Sequence, residues 1–518
     1  MTLKSRLVLL LGRLLRPLPE PAKRVLRVAG VKLGLIVLAG PQQAGPKDEY
    51  VNEETASVYR DAGQAYNERR LQDAISLVDA YDDRTSEQDL FDNNLFYARI
   101  VRVDALIADG RGREAVEALD RMEAIYGARW STLMRRAKLG VFTGNVDAAL
   151  QAVERAFFFM PVSRKNSSFL AEAGLQKVDL LVAAGRHEEA RDFFVRTFPL
   201  DEKAGNLTDR HFASLRKTIL NDRDLVWFKN LLLPSFAHDG YRAINSLFHY
   251  SIAARDLGHY EEALLAIQRR FVIGSRVVSF GEKRRPAKVN WSADARRALA
   301  DLKADLSKAG IRFFLISGTL LGCIREGSIL GHDKDIDVGV MQEVGFDQVR
   351  GALSGTGRFV LLPVITEKIL RVKHSNGVMI DIFFHWEEDG KMFHEGQKTK
   401  WWNTPFGLSE VEFLGERFLV PSDPDRYLTE NYGDWRTPVT EFETFCDTPN
   451  MIISDHNEML WYYYRMLFDY YYSGSQVLFN KVWSAICRLS SPSVEMRKAV
   501  RYVEARMSYG NASEEGGI

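Results

Sequence analysis

The chain has 518 residues, of which 46% are hydrophobic and 27% are charged, and its 69 lysines and arginines balance 69 aspartates and glutamates. This length predicts about three domains, and the even charge balance argues against a dedicated nucleic-acid binder, which is usually basic. The three cysteines lie far apart without zinc-site spacing, which indicates a reducing, cytoplasmic compartment.

The N-terminal segment, residues 1–47, is rich in lysine and arginine, has Glu20 as its single acid, and contains two apolar runs. Both runs are shorter than the roughly 18 residues of a membrane-spanning helix. Arginines also interrupt the apolar part, which is atypical of a secretory signal. The segment therefore either lies on the inner face of an anionic membrane or packs as an amphipathic helix on the rest of the chain.

Residues 48–275 carry a repeated pattern in which a glycine precedes an alanine by five residues. It occurs four times, at Gly110 and Ala115, Gly144 and Ala149, Gly185 and Ala190, and Gly258 and Ala263. This resembles a tetratricopeptide array, in which repeats of about 34 residues form stacked helical hairpins. The pattern predicts an α-helical repeat solenoid that either binds a protein partner or serves as a spacer.

A second domain is predicted at residues 291–450, after a charged, glycine- and proline-containing linker at residues 276–290. It opens with a helix, a strand written IRFFLI, a glycine turn and another helix. The turn contains Ser317, Gly318 and Thr319. Exposed backbone N–H groups and a hydroxyl at a helix start suit a phosphate, so these three residues are candidate donor-phosphate ligands.

The next motif, DKDIDVGV, is a predicted strand that places Asp335 and Asp337 on one face, because they are two residues apart. About forty residues later, VMIDIFFHW predicts a second strand carrying Asp381. Three carboxylates from neighbouring strands suit Mg²⁺, which prefers oxygen ligands. Aspartates exposed in turns are the alternative, but the adjoining apolar residues disfavour it.

Three ordered motifs resemble the LicD/fukutin family: the stretch at residues 317–340, the IDIFF strand, and YLTENYGDWRTP. The resemblance extends over about residues 292–440. Gly318 and Thr319 match the family's phosphate motif, and Asp335, Asp337 and Asp381 match its carboxylates. The late YGDW element corresponds to Tyr432, Gly433, Asp434 and Trp435.

The resemblance implies a nucleotidyltransferase-fold mixed sheet with flanking helices. It also implies transfer of a phospho-substituent, such as phosphocholine or an alditol phosphate, from a CDP-linked donor to a glycan acceptor, as in lipopolysaccharide or capsule biosynthesis. Asp335, Asp337 and Asp381 are then the metal ligands and catalytic carboxylates, with Mg²⁺ or Mn²⁺ as cofactor. Asp381 is the candidate base. The candidate phosphate-binding cations are Arg325, Lys368, Arg371 and Lys373.

Two other functions remain open at this point. The domain either transfers a nucleoside monophosphate instead, or it is a vestigial site on a non-enzymatic repeat scaffold.

The sequence predicts an aromatic helical extension at residues 451–507, whose rings stack on sugars, meet a membrane or pack internally. Residues 508–518 are small and acidic, which predicts disorder. The chain as a whole is predicted to be an α+β multidomain protein.

Overall fold

The computed structural model describes residues 53–83, 92–159, 167–198, 207–236, 240–282, 291–331, 333 and 335–514. The predicted basic segment at 1–47 lies outside these residues. The chain divides into two compact units. The first contains the chain up to residue 180 with residues 354–360 and 374–377, and the second contains the remainder.

Thirteen helices precede the first strand in the described part of the chain, as the sequence predicts for a helical N-terminal half. They are α1 (Glu53–Asn67), α2 (Leu71–Asp82), α3 (Asn93–Ala108), α4 (Gly112–Tyr126), α5 (Trp130–Phe142), α6 (Val146–Phe158), α7 (Ser167–Ala183), α8 (His187–Thr197), α9 (Asp209–Arg216), α10 (Asp222–Phe236), α11 (Tyr241–Asp256), α12 (Tyr260–Val277) and α13 (Trp291–Lys308).

The repeated glycines and alanines behave as the pattern predicts. All four glycines adopt a positive φ, between 71° and 81°, in the short turns between helices. This left-handed conformation ends a helix at little cost only for glycine. The four alanines are fully buried, so their small side chains allow neighbouring helices to pack closely. The helical hairpins are therefore present, whereas a tetratricopeptide solenoid stays a prediction.

A mixed ten-stranded sheet follows the helices. The strands are β1 (Phe314–Leu315), β2 (Asp335–Met341), β3 (Phe359–Leu361), β4 (Ile369–His374), β5 (Met379–Glu388), β6 (Lys391–Glu395), β7 (Thr399–Asn403), β8 (Leu408–Phe413), β9 (Glu416–Pro421) and β10 (Met451–Ile453). The main path of the sheet runs β10-β7-β6-β5-β2-β1-β9-β8. Two strands lie off this path: β4 pairs with β5, and β3 pairs with β4.

The helices among and after the strands include α14 (Ser317–Leu321), which continues as a π-helical turn (Gly322–Glu326). The others are a 3₁₀ turn (Gln342–Val344), α15 (Phe346–Leu353), α16 (Pro424–Tyr432), α17 (Thr444–Asp447), α18 (His456–Ser473), α19 (Gln476–Leu489) and α20 (Val494–Glu514). The predicted mixed sheet with flanking helices and a helical extension is thus confirmed.

The core of the sheet sits under β2 and β5. Ile336 and Val338 of β2 and Ile380 and Ile382 of β5 are fully buried. Because side chains alternate along a strand, the residues between them point to the opposite face of the sheet. That alternation places the aspartates of both strands on the face away from this core.

The second unit also joins helices from the two halves of the sequence. Arg270 of α12 stacks between the rings of Phe248 and Phe468, at 4.6 and 4.1 Å from their centroids. Gly274 of α12 faces Phe468 so closely that a Cβ there would lie 2.1 Å from the ring. The division of the chain at residue 180 therefore differs from the domain predicted at 48–275, because α12 packs against the C-terminal extension.

Three predicted boundaries also differ from the structure. Helix α12 continues to Val277, two residues into the predicted linker, and β10 extends the sheet to Ile453, past the predicted domain end. Helix α20 continues to Glu514, past residue 508, and disorder of residues 508–518 stays a prediction.

Within the residues described, no helix is both long and apolar enough to cross a membrane.

Candidate active site

The three predicted carboxylates meet on one face of the sheet. β2 and β5 run parallel, with Asp337 directly opposite Asp381 and Asp335 opposite Met379. Asp333 lies two residues before β2, and its charge acts on the Asp337 carboxyl. The sequence separates Asp337 and Asp381 by more than forty residues, and strand pairing brings them side by side.

The pKa values of two of these carboxyl groups are raised. Burial raises the pKa of Asp337 well above its usual range, and the charges of Asp335, Asp333 and Asp381 raise it further. Burial and Asp335 raise the pKa of Asp381 to about 7, while Arg371 and Lys398 oppose that shift. Crowded carboxylates of this kind favour either protons or a bound cation.

The glycine turn holds Asp337 in place. The backbone N–H of Asp337 donates to Thr319 Oγ1 at 2.9 Å, and a backbone hydrogen bond from Gly318 lowers the pKa of the Asp337 carboxyl. Thr319 is only 2% exposed. Its hydroxyl was expected to be exposed for a phosphate, but the structure places it beneath Asp337 as an acceptor.

The backbone around this turn is tight. Ser317 has a φ of 49°, a left-handed conformation that costs a non-glycine residue about 1–3 kcal/mol and is frequent at functional sites. A Cβ on Gly318 would lie 2.6 Å from Asp333 Oδ2. Asp333, Asp335, Asp337 and Asp381 are called the acidic cluster below. A side chain at residue 318 would displace Asp333, so the turn and the acidic cluster depend on each other.

The late YGDW element is the end of helix α16. Asp423 caps its start by accepting the backbone N–H of Arg426, and Gly433 ends it with a φ of 67°. Burial raises the pKa of the Tyr432 hydroxyl well above its usual range, and Asp337 and Asp333 contribute to that shift. The element therefore reaches the acidic cluster through Tyr432.

The predicted phosphate-binding cations occupy different positions. Arg325 donates to the Trp435 carbonyl at 3.1 Å and pairs with Glu326 at 2.9 Å, so it already connects the π-helical turn to the YGDW element. Arg371 of β4 lies directly opposite Asp381. Lys373 is exposed two residues further along the same strand, and Lys368 lies over the Trp386 ring at 4.2 Å.

The buried histidines near the site do not fit an acid or base role. Burial lowers the pKa of His385 to about 3. Its ring stacks on His394 at 4.7 Å and meets the edge of Phe314 at 4.9 Å. The side chain is therefore a packed core residue.

No group of three or more His, Cys, Asp or Glu side chains in the described ranges is placed so that it could hold a metal ion. The carboxylates nevertheless fit one class of metal. Mg²⁺ keeps several of its waters and is held by one or two carboxylates together with substrate phosphates, so it does not require a complete protein cage.

One cation of the site was missed by sequence reasoning. Lys398, in the turn between β6 and β7, acts electrostatically on Asp381. No local motif marks it, because its position depends on how β6 pairs with β5. A lysine in a short turn that contains glycine is ordinarily solvated, so the sequence offered no signal.

Comparison with known proteins supports the resemblance. Residues 310–423 match the family described as "LicD/FKTN/FKRP, nucleotidyltransferase domain". This range contains β1, the glycine turn, β2 and β5, together with all four aspartates of the acidic cluster. The family assignment made from the three motifs is thereby confirmed for this domain.

Three relatives illustrate the extent of the similarity. The human protein "Ribitol-5-phosphate transferase FKTN" is 29% identical over 178 residues, which cover 32% of this chain and 38% of the relative. The human protein "Ribitol 5-phosphate transferase FKRP" is 33% identical over 127 residues, covering 23% and 24%. An uncharacterised protein of Rickettsia typhi is 28% identical over 143 residues, covering 25% and 42%. The matches therefore span less than half of each relative.

Proposed function

The chain carries a nucleotidyltransferase domain of the LicD/FKTN/FKRP family, and from this premise we propose that it is a metal-dependent transferase. It moves a phospho-substituent from a CDP-linked donor to a hydroxyl group of a glycan. The observation that carries the proposal is the direct pairing of Asp337 with Asp381, with Asp335 on the same face. Relatives are named as transferases of ribitol 5-phosphate, so a CDP-linked alditol is the first donor to test.

Asp335 and Asp337 are the proposed ligands of Mg²⁺ or Mn²⁺. Both lie on β2 and face the same side, and like charges this close are unfavourable without a counter-charge. When bound, the ion would neutralise part of the donor's phosphate charge. The protein's own contribution is to keep Asp337 fixed, through Thr319 and Gly318.

Asp381 is the proposed base for the acceptor hydroxyl. A general base works best when its pKa is near the working pH, and the pKa of Asp381 is raised to about 7. Arg371 lies directly opposite Asp381 on β4. Its guanidinium would balance charge on that side of the carboxylate and suits an oxyanion of the substrate.

Protein binding to the helical repeats and peripheral membrane contact through residues 1–47 remain separate proposals. Stacked helical hairpins commonly present a surface for a partner chain. A basic, apolar segment suits an anionic lipid surface. Neither is required for the transfer reaction.

A panel of CDP-linked donors with Mg²⁺ tests the proposed function. Purified full-length chain is incubated with CDP-linked ribitol, glycerol or choline and a glycan acceptor, and the nucleotide products are separated. Release of CMP, with the acceptor gaining the mass of the phospho-substituent, is the expected result. Pyrophosphate release from a nucleoside triphosphate, with no CMP from any CDP-linked donor, would instead indicate nucleotide transfer.

A further inference from the structure

Lys398 lies in the turn between β6 and β7, and its charge acts on Asp381. β6 runs antiparallel to β5, with Trp386 opposite Phe393 and Glu388 opposite Lys391. The C-terminal end of β6 therefore lies alongside the part of β5 that is nearer to Asp381. The turn's backbone is fixed, because the N–H groups of Ser454 and Asp455 both donate to the Lys398 carbonyl, at 3.0 and 3.3 Å.

Two aromatic rings form a corner behind the ammonium group. Lys398 Nζ lies 3.9 Å from the centroid of Phe445 and 4.3 Å from that of Tyr462. The rings meet edge to face with centroids 4.7 Å apart. The electron-rich faces of such rings attract a cation and hold it without using any of its hydrogen-bond donors.

The ammonium group has no protein acceptor or ion-pair partner within the described parts of the chain. Two of the carboxylates that act on it, Glu443 and Glu458, have other partners. Glu443 accepts hydrogen bonds from the hydroxyls of Tyr470 and Tyr462. Glu458 accepts from Tyr260 at 3.1 Å and lies 3.7 Å from Arg255. Its three N–H donors are therefore available to solvent or to a bound ligand.

Lys398 lies on a defined side of Asp381. β2 pairs with one edge of β5, so β4 and β6 share the other edge. Arg371 of β4 and Lys398 both act on the Asp381 carboxyl. The glycine turn lies on the β2 side, where it holds Asp337. Asp381 thus has the other aspartates of the acidic cluster on one side and two cations on the other.

We propose that the Lys398 ammonium is a substrate-binding group that donates hydrogen bonds to a phosphate oxyanion beside Asp381. The inference deepens the proposed function and rests on it for the origin of the phosphate. That phosphate belongs either to the CDP-linked donor or to a phosphorylated acceptor. Lysine binds phosphate as a compact charge with three donors, and a rigid aromatic support limits the entropy lost on binding.

The neighbouring Lys400 provides a matched control. It also lies over a ring, with Nζ 3.8 Å from the centroid of Phe393, but it pairs with Glu388 at 2.9 Å. Its charge is therefore already neutralised.

The Lys398 amine is more reactive toward acylation than an ordinary lysine. Burial and the charges of Arg465 and Arg255 lower its pKa to about 8, so more of it is unprotonated at neutral pH.

Competitive acetylation of the full-length chain tests the proposal directly. The protein with Mg²⁺ is pulsed with an acetylating reagent, and modification of Lys398 and Lys400 is followed by mass spectrometry. The ligands are CDP, for the donor, and glucose 6-phosphate, for a phosphorylated acceptor. We expect one of them, at ten times its dissociation constant, to slow Lys398 acetylation about tenfold and leave Lys400 unchanged.

The responding ligand identifies the source of the phosphate. Protection by CDP indicates the donor, and protection by glucose 6-phosphate indicates the acceptor. If neither ligand protects Lys398, or if both lysines are slowed equally, the proposal is overturned.

Substitutions give an independent measurement. Lys398→Met should weaken binding of the protecting ligand by about tenfold or more, the contribution of a charge-assisted hydrogen bond. Lys398→Arg should recover most of the affinity, and Lys400→Met should change it less than about twofold. Thermal unfolding of each variant verifies folding. Unchanged affinity in folded Lys398→Met would overturn the proposal.

The two proposals fail in different ways. Protection of Lys398 by CDP without CMP release from any CDP-linked donor would count against the transfer reaction alone. CMP release with a Lys398→Met variant that keeps the parental KM and kcat would count against Lys398 alone.

Discussion

Asp337 of β2 and Asp381 of β5 are direct partners in a parallel pair of strands. Each lies on the same face, between residues whose side chains fill the core. Like charges in such positions destabilise a folded chain unless protons or a cation compensate them. The raised pKa values of both carboxyl groups express this cost. The arrangement is therefore more consistent with a ligand-binding role than with a stabilising one.

Thr319→Val should separate the role of the hydroxyl from that of the side-chain volume. Valine keeps the branched shape but removes the acceptor for the Asp337 N–H. A buried donor left without a partner costs about 1–3 kcal/mol, so urea unfolding should show a loss of this size. CMP release should fall as well, because Asp337 loses its support. Thr319→Ser, which retains the oxygen, should keep more of the activity, and equal losses in both variants would contradict this role.

Gly318→Ala should damage activity more than stability. A Cβ at this position would lie 2.6 Å from Asp333 Oδ2, and a short carboxylate side chain can move away without unfolding the domain. We expect turnover to fall about ten- to a hundredfold, since small displacements at a reacting site have effects of this size.

Gly351→Ala is the control for the alanine substitution. Gly351 lies in helix α15 with no atom near the added Cβ, so alanine should stabilise the fold by up to about 1 kcal/mol. Parental turnover is expected for this variant. If Gly318→Ala also retained parental turnover, the close approach of residues 318 and 333 would have no catalytic importance.

Gly274→Ala tests the packing of α12 on α18. The added Cβ would lie 2.1 Å from the ring of Phe468, so one of the two helices must shift. Overpacking of this kind typically costs about 1–3 kcal/mol in the free energy of unfolding. Combining it with Phe468→Leu should give less destabilisation than the sum of the single changes, because the two residues are in contact. Strict additivity in denaturant unfolding would show that this contact is absent.

The stability of the metal-free protein should depend on pH through Asp381. Its folded pKa, about 7, is above the usual value of 3.8, so the folded state binds the proton more tightly than the unfolded state. The associated stability is complete below about pH 4 and is lost as the pH rises through 7. Asp381→Asn cannot titrate. Its melting temperature relative to the parent should therefore increase between pH 5.5 and pH 8.5, and a constant difference would refute the raised pKa.

The sequence predicts the elements of the site well because their signals are local. Alternation of apolar and acidic residues identifies β2 and β5, and the glycine and alanine pattern identifies the helical hairpins. The register that brings Asp337 opposite Asp381 depends on pairing between distant segments, which no local period encodes.

The same limit explains what was missed. Thr319 was expected to face a phosphate, but its hydroxyl supports Asp337, a contact that depends on the depth of the turn under β2. Lys398 approaches Asp381 only because β6 pairs with β5. The packing of α12 on α18 joins segments almost two hundred residues apart and leaves no local signal in the sequence. Composition alone therefore suggested a domain boundary near residue 275, whereas the second unit continues through that position.

The most direct test of the central claim is CMP release by Asp337→Asn at saturating Mg²⁺, with the donor that the parent uses best. Asparagine keeps the shape of the side chain and removes one charge, so the ion is held more weakly. We predict a fall in turnover of about a hundredfold or more, equivalent to roughly 3 kcal/mol. The metal-free variant should melt at the parental temperature or higher, since repulsion is relieved. Parental CMP release by this variant would contradict the account of Asp337 as an essential metal ligand.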